Sequence, residues 1–367
     1  MGFEDFCGNA DGKQGALDVI RGMLARNRMP HALIFSGPPG VGKYTLAQML
    51  AKALHCTERQ NDFCGECQNC RSIGLTDDRR AAVEQAEQDR EKLTRRPREV
   101  PLLVQNHPDV LLLPPNGPLR LFQIEQARHL KQALTFLPTG GGKKIFLLPE
   151  AERMDRAAAN SLLKSLEEPP PYALLLLTTP NEMALLPTIR SRCVTIPLCS
   201  LPRRQVVAFL EKTGAGRDEQ ERILRAAVAR GCPGLARRID LEHYCQLRDG
   251  LLTILRTGLE RKNFAELFLL TQKLAGKKEK LEYLLDVLYS LFQDILHIEV
   301  RASKEPLRNV DRASVLSQMA RSVGIGEVMR ASQALRNLEA NLRRNIPTQI
   351  ALDAFAVSMV PAHRISD

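Results

Sequence analysis

The chain has 367 residues, 44% of them hydrophobic and 26% charged, with a formal net charge of +10, an aromatic share of 5% and no Trp. That length exceeds one ordinary domain and excludes a mini-protein, and the composition is ordinary for a soluble globular protein and favours many helices over a large β-sandwich. The basic balance suits a polyanionic partner such as nucleic acid, although scattered surface lysines and arginines give the same total.

The start, Met1 to Gly8, is acidic rather than signal-like, and the longest apolar run near mid-chain, Ala173 to Leu177, is too short to cross a bilayer, so a cytoplasmic protein is expected with no membrane partner. His31-Ala32-Leu33-Ile34-Phe35 reads as a buried strand, followed by a Gly/Pro-rich loop and then the helix-favouring stretch Lys43 to Leu54. Gly37-Pro38-Pro39-Gly40-Val41-Gly42-Lys43 within it fits the P-loop pattern, in which glycines let backbone N–H groups converge on phosphate oxygens and the lysine reaches the β/γ oxygens. Gly37, Gly40, Gly42 and Lys43 are therefore candidate binders of ATP or ADP. The next position departs from the pattern. Ser or Thr should ligate Mg²⁺ there, but the residue is Tyr44, and Thr45 substitutes only if the helix start shifts by one residue.

Cys56, Cys64, Cys67 and Cys70 lie in one short stretch, the last three spaced C-x₂-C-x₂-C. Four thiolates suit tetrahedral Zn²⁺ in a closed, structural site. An iron–sulfur site is the rival, but no Cys-Pro follows at the ferredoxin spacing. Cys7, Cys193, Cys199, Cys232 and Cys245 read as scattered small core residues. Gly74 to Val100 is a charged insertion, dense in both signs, with Glu91 and Arg95 at i,i+4 supporting a solvated helix without chemistry of its own.

Lys144 to Leu148 and Ala173 to Leu177 read as two further fully apolar strands of a covered parallel sheet. Between them Ala159, Leu162, Leu163 and Leu166 recur at helical spacing until Pro169. In a hydrolysing P-loop protein the strand after the loop ends in Asp-Glu, the Asp serving Mg²⁺ and the Glu orienting water; here it ends Leu148-Pro149-Glu150, keeping only the second carboxylate. Without the metal, several kcal/mol of transition-state stabilisation is lost and hydrolysis in cis is expected to be very slow or absent. From Pro202 onward only amphipathic helical stretches follow: Gln205 to Lys212, Glu219 to Arg230 and Leu251 to Leu259, with longer ones over Glu279 to Val300 and Glu327 to Arg344. Gly231-Cys232-Pro233-Gly234 punctuates this region.

These features in this order resemble the bacterial clamp loaders of DNA polymerase III, a family of AAA+ proteins. The resemblance runs through most of the chain. It rests on the strand into the P-loop, the four cysteines after the P-loop helix, His107-Pro108-Asp109-Val110, Asn160-Ser161-Leu162-Leu163-Lys164-Ser165-Leu166-Glu167-Glu168-Pro169-Pro170, Ser191-Arg192-Cys193, and Asn345 to Leu352 near the end. It implies an α/β P-loop fold with a RecA-like parallel sheet over residues 1–200, a zinc module inserted at 56–70, a helical lid over 201–243 and an all-helical oligomerising collar over 244–367. It also implies partners: the tau/gamma and delta subunits in a hetero-oligomer, the sliding clamp and primed DNA.

Within the family, Tyr44 and Pro149 depart from the ATP-hydrolysing tau/gamma pattern, Gly234 stands where the lid's sensor arginine belongs, and the long extension of tau does not follow the collar motif. The chain thus resembles the delta-prime branch, with no polymerase site and no ATPase activity in cis. The resemblance makes Arg192 an arginine finger offered to a neighbour's site, where such a group is worth roughly 10³ to 10⁵ in rate. It matches Thr178-Thr179 to the sensor position, and it assigns no role to the insertion at 74–100. Two other functions stay open on the residues alone: an active ATPase in which Thr45 and Glu150 compensate, and a zinc-containing DNA-binding scaffold with a relic P-loop.

Overall fold

The computed structural model describes residues 2–6, 15–93, 100–117, 119–260, 264–275, 281–300, 307–322, 325–344 and 346–358. The chain divides into two compact units, Met1–Phe209 with Gly231–Leu235, and Leu210–Arg230 with Ala236–Asp367. Among the described residues no helix is long and apolar enough to cross a membrane.

The first unit is built on a sheet of six strands: β1 (Ala32–Ser36), β2 (Val104–His107), β3 (Val110–Leu112), β4 (Lys144–Leu148), β5 (Ala173–Thr179) and β6 (Val194–Pro197), in the spatial order β2-β3-β4-β5-β1-β6. β3, β4, β5, β1 and β6 pair in parallel, and β2 is an antiparallel edge strand. The parallel expectation holds for the centre. Alternate residues of the apolar strands feed opposite cores, which is why the runs show no polar alternation. Leu33, Phe35, Ile145, Leu147, Leu174 and Leu176 enter one core, against α1 (Ala16–Ala25) and α2 (Lys43–His55). Ile34, Phe146, Leu148, Leu175 and Leu177 enter the other.

That second core is covered by α5 (Ile124–Ala133) and α6 (Arg156–Glu167), which contribute Leu130, Leu162 and Leu166, with Leu134 at the C-cap of α5. The helix α6 follows the periodicity over Ala159 to Leu166, and Asp155 caps it by accepting the Ala158 N–H at 2.6 Å. After α2 the chain forms α3 (Gln68–Gly74) and α4 (Arg79–Leu93), and α7 (Pro187–Arg190) precedes β6. The charged insertion is indeed helical, with an Arg80–Glu84 pair on its exposed side, but Ala82 and Ala86 pack on the core beside α2. The expected Glu91–Arg95 pair lies outside the described residues, as does Cys7.

The strands β2, β3 and β6 were not legible as strands. Each has only three or four residues, and in β6 Val194 and Pro197 are exposed, so no apolar run marks it.

The second unit is all-helical among its described residues. It includes α9 (Glu219–Val228), α11 (Leu241–Glu260), α12 (Phe264–Ala275), α13 (Leu281–Glu299), α14 (Ala313–Ser322), α15 (Ile325–Arg343) and α16 (Thr348–Ser358), while α8 (Arg203–Lys212) and α10 (Pro233–Arg238) each divide their residues between the two units. Its core draws on Leu247, Leu251, Leu255, Leu288, Leu291, Leu335 and Phe355. A polar network is buried with it. The Arg248 side chain, 1% exposed, pairs with both oxygens of Asp311 at 2.6 and 2.7 Å. Asp294 accepts N–H bonds from Arg308, from Asn309 and from the Asn309 side chain at 2.7–2.8 Å. Of the expected collar motif, Asn345 lies outside the described residues and Thr348 opens α16.

Candidate functional site

β1 delivers the P-loop to the start of α2, as strand, loop and helix require. Gly37, Gly40 and Gly42 all have positive φ, at 148°, 80° and 107°. Each is also closed in by the chain itself. A Cβ on Gly37 would stand 2.2 Å from the Leu198 carbonyl oxygen, one on Gly40 would stand 2.7 Å from the Leu235 nitrogen, and one on Gly42 would stand 3.0 Å from the Phe6 ring. Packing and backbone conformation therefore demand glycine here, independently of phosphate. Lys43 donates to the carbonyls of Gly37 and Pro38 at 2.5 and 2.9 Å. Burial lowers its pKa and the Arg79 guanidinium adds to that, while Glu152 and Glu150 oppose it.

The departure at position 44 has a structural partner. The Tyr44 hydroxyl donates to the Thr76 carbonyl at 2.9 Å and accepts from the Gln48 amide at 2.7 Å, so the side chain is tied to the segment just before α4. Burial pushes its phenol up to about 12. Arg79, the first residue of α4, places its guanidinium carbon 5.6 Å from the Tyr44 ring centroid, a cation–π approach. Thr45, in the first turn of α2, is exposed.

At the end of β4, Pro149 is buried and Glu150 adopts a left-handed conformation at φ 53°. Its N–H donates to the Thr178 hydroxyl at 3.3 Å, which uses the sensor-position threonine to hold the backbone. The Glu150 carboxylate does not stand free to orient water. Arg79 reaches it at 2.7 Å, Arg153 at 2.9 Å and Arg120 at 3.2 Å. Gly234, at the expected sensor-arginine position, donates its N–H to the Gly40 carbonyl at 2.9 Å, and a Cβ on it would meet that same oxygen at 2.9 Å. An arginine in its place would have to displace the P-loop.

The four cysteines converge. The Sγ atoms of Cys56, Cys64, Cys67 and Cys70 all lie within 4.8 Å of one another, close enough to share one metal ion. Cys56 follows α2, Gly65 at φ 79° turns the chain between Cys64 and Cys67, Cys67 caps α3, and Cys70 lies one turn into that helix. The N–H groups of Glu66 and Cys67 donate to the Cys64 sulfur at 3.3 and 3.2 Å and lower its pKa, as a thiolate ligand needs. The donor set, four sulfurs in a closed cluster, fits a structural tetrahedral metal.

A second group of possible ligands was not foreseen from the sequence: His55, His107 and Asp109. Two of the three, His107 and Asp109, are already engaged in a turn, while the Nε2 of His55 is buried without a hydrogen-bond partner. The His107 Nδ1 accepts the Asp109 N–H at 3.1 Å, and the Asp109 carboxylate accepts N–H bonds from Thr139 and Gly140 at 2.8 and 3.2 Å. Burial lowers both imidazole pKa values, that of His55 to about 4.

Arg192 stands apart from these sites, between α7 and β6. Its guanidinium pairs with Glu167 at 2.6 Å and donates to the Thr188 carbonyl at 2.8 Å. Neighbouring Cys193 is half-buried against the α6 side of the sheet, and burial pushes its thiol up to about 12. Of the residues around Glu150, only Arg153 stood at a readable spacing. Arg79 and Arg120 come from segments far apart in sequence and meet it through tertiary folding, which no local pattern announces.

A G-x-x-x-x-G-K loop at the β1–α2 junction of a mostly parallel sheet gives the first unit the architecture of an α/β P-loop protein. Residues 12–202 match the family described as DNA polymerase III, delta subunit, and the chain belongs to that family of clamp-loader subunits. It is 28% identical to DNA polymerase III subunit delta' of Bacillus subtilis over 291 residues, which is 77% of either chain. To subunit delta' of Pseudomonas aeruginosa it is 31% identical, over 66% of either chain. To subunit tau/gamma of Haemophilus influenzae it is 30% identical over 54% of this chain but only 24% of that one.

Proposed function

We propose that the chain is a delta-prime-like subunit of the DNA polymerase III clamp loader. It does not hydrolyse ATP itself; it packs beside an ATP-hydrolysing tau/gamma subunit, offers Arg192 to that subunit's nucleotide, and helps the cytoplasmic hetero-oligomer, with delta, place the sliding clamp on primed DNA. The observation that carries the reading is the state of the site at the end of β4. Pro149 stands where the metal carboxylate belongs, and Glu150 is held by Arg79, Arg153 and Arg120. The active-ATPase alternative needs Thr45 and Glu150 to compensate, and Glu150 is already committed.

The residue 201–243 segment serves as lid and 244–367 as collar in this reading, and the four cysteines hold one structural Zn²⁺. Four cysteine sulfurs leave no open position for a substrate, so the metal would stabilise the segment between α2 and α4 rather than take part in chemistry. Arg192 is suited to act in trans because its pair with Glu167 is partly exposed and such pairs are worth about 1 kcal/mol or less, so a γ-phosphate readily replaces the carboxylate. The test is to assemble the chain with its ATP-hydrolysing and delta partners, clamp and primed DNA, and compare ATP turnover for native chain and Arg192→Ala. Unchanged turnover removes the trans role.

A further inference from the structure

The insertion at 74–100 has no assigned role, yet its helix begins at the phosphate site. In a hydrolysing P-loop protein a divalent cation is held between the hydroxyl of the residue after the P-loop lysine and the carboxylate at the end of the next core strand, where it neutralises the phosphate oxygens. In this chain those two positions are Tyr44 and Pro149, neither of which can ligate Mg²⁺. A different cation lies between the same two segments: the Arg79 guanidinium, 5.6 Å from the Tyr44 ring and 2.7 Å from the Glu150 carboxylate that follows Pro149. It is close enough to Lys43 to lower the pKa of that amine.

We propose that Arg79 takes the place of the divalent cation, so that the degenerate P-loop accepts a polyphosphate anion, as free polyphosphate or as the tail of a nucleoside triphosphate, without Mg²⁺. The inference rests on the reading that the metal-dependent machinery of hydrolysis is gone, and it gives the insertion its function. Three features support it. A guanidinium has five N–H donors in a planar fork suited to phosphate oxygens, and only part of that fork is needed to hold Glu150. The positions of Tyr44 and Arg79 are mutually fixed, since the Tyr44 hydroxyl is bound to Thr76, three residues before Arg79, and the ring carries the guanidinium. Three guanidinium groups, Arg79, Arg120 and Arg153, converge on the one Glu150 carboxylate, so the surroundings of that carboxylate keep a positive balance for an anion without a metal ion. All of these residues belong to the first unit.

The test uses the full chain alone, so it fails or succeeds independently of the Arg192 experiment on the assembly. Binding of ATP and of inorganic tripolyphosphate is measured by equilibrium dialysis in resin-treated, magnesium-free buffer, which leaves the cysteine cluster unchallenged by a soluble chelator, and again with millimolar Mg²⁺. The native chain is expected to bind without Mg²⁺, with an affinity that the metal does not improve. Arg79→Ala is expected to weaken binding about tenfold to a hundredfold, as loss of a charge-assisted contact does. Arg79→Lys should keep part of the affinity and Arg80→Ala all of it. Equal affinity for the two ligands identifies a polyphosphate site, and tighter binding of ATP a nucleotide site. The proposal is overturned if the native chain binds neither ligand without Mg²⁺, if Mg²⁺ is required, or if Arg79→Ala binds as tightly as native or more tightly, which would make Arg79 a latch that shuts the site.

Discussion

The Arg192 guanidinium lies 2.6 Å from the Glu167 carboxylate, joining the end of α6 to the segment that leads into β6. Both residues belong to stretches on which the family resemblance rests, Glu167-Glu168-Pro169-Pro170 and Ser191-Arg192-Cys193, and the fold makes them one unit. Glu167 holds the half-buried arginine in the single chain, with the Thr188 carbonyl as a second anchor. A partly exposed pair of this kind holds a geometry without locking it.

Tyr44, the residue that follows the P-loop lysine, should report on its own environment. Its folded pKa is raised to about 12 by burial, from an ordinary value near 10. Between those values the folded chain keeps a proton that the unfolded chain has lost, so this group's contribution to stability falls as pH rises through that window, by up to about 1.4 kcal/mol per pH unit. Phenolate absorbance of native chain against Tyr44→Phe should assign one late-titrating group among the five tyrosines to Tyr44. A difference spectrum that titrates near 10 contradicts the buried placement.

Much of this site was readable before the fold. The P-loop glycines and the cysteine cluster follow from residue type at short spacing, because local backbone geometry alone brings those groups together. The three apolar strands were legible for the same reason, each being buried on both faces. What was illegible is what depends on tertiary approach. Arg79, Arg120 and Glu150 meet from three segments, and nothing in the sequence told that the remaining carboxylate is already held by arginines. The insertion read as a solvated helix because its exposed face carries the charges, while the small Ala82 and Ala86 that seat it leave little hydrophobic signal.

The P-loop glycines should matter to stability without any ligand. Gly40→Ala puts a methyl against the Leu235 backbone at a positive-φ position, which should cost about 1–3 kcal/mol. The shift in denaturation midpoint of the nucleotide-free chain measures this, and an unshifted midpoint would show that the loop gives way freely.

Native chain should carry about one zinc, and Cys67→Ser should lose it. Hydrogen exchange should then rise across 56–74 while the strands of the sheet stay protected. A variant that keeps its full zinc content removes Cys67 from the ligand set.

In the helical unit, Asp294 accepts three hydrogen bonds in a buried position. Asp294→Ala leaves those donors unpaired and should lower stability by about 3 kcal/mol, with Asp294→Asn intermediate. Urea midpoints followed by a probe in the second unit test this, and equal midpoints for native and Asp294→Ala would contradict the network as described.

The role of Arg192 is settled most directly by single-site replacement in the assembled complex. Clamp- and DNA-stimulated ATP turnover is measured with native chain, Arg192→Ala, and Arg190→Ala as the neighbouring-arginine control. Arg192→Ala should abolish the turnover of the adjacent site, a loss there on the order of 10³ or more, with assembly intact and Arg190→Ala close to native. Native turnover from a fully assembled Arg192→Ala complex would contradict it.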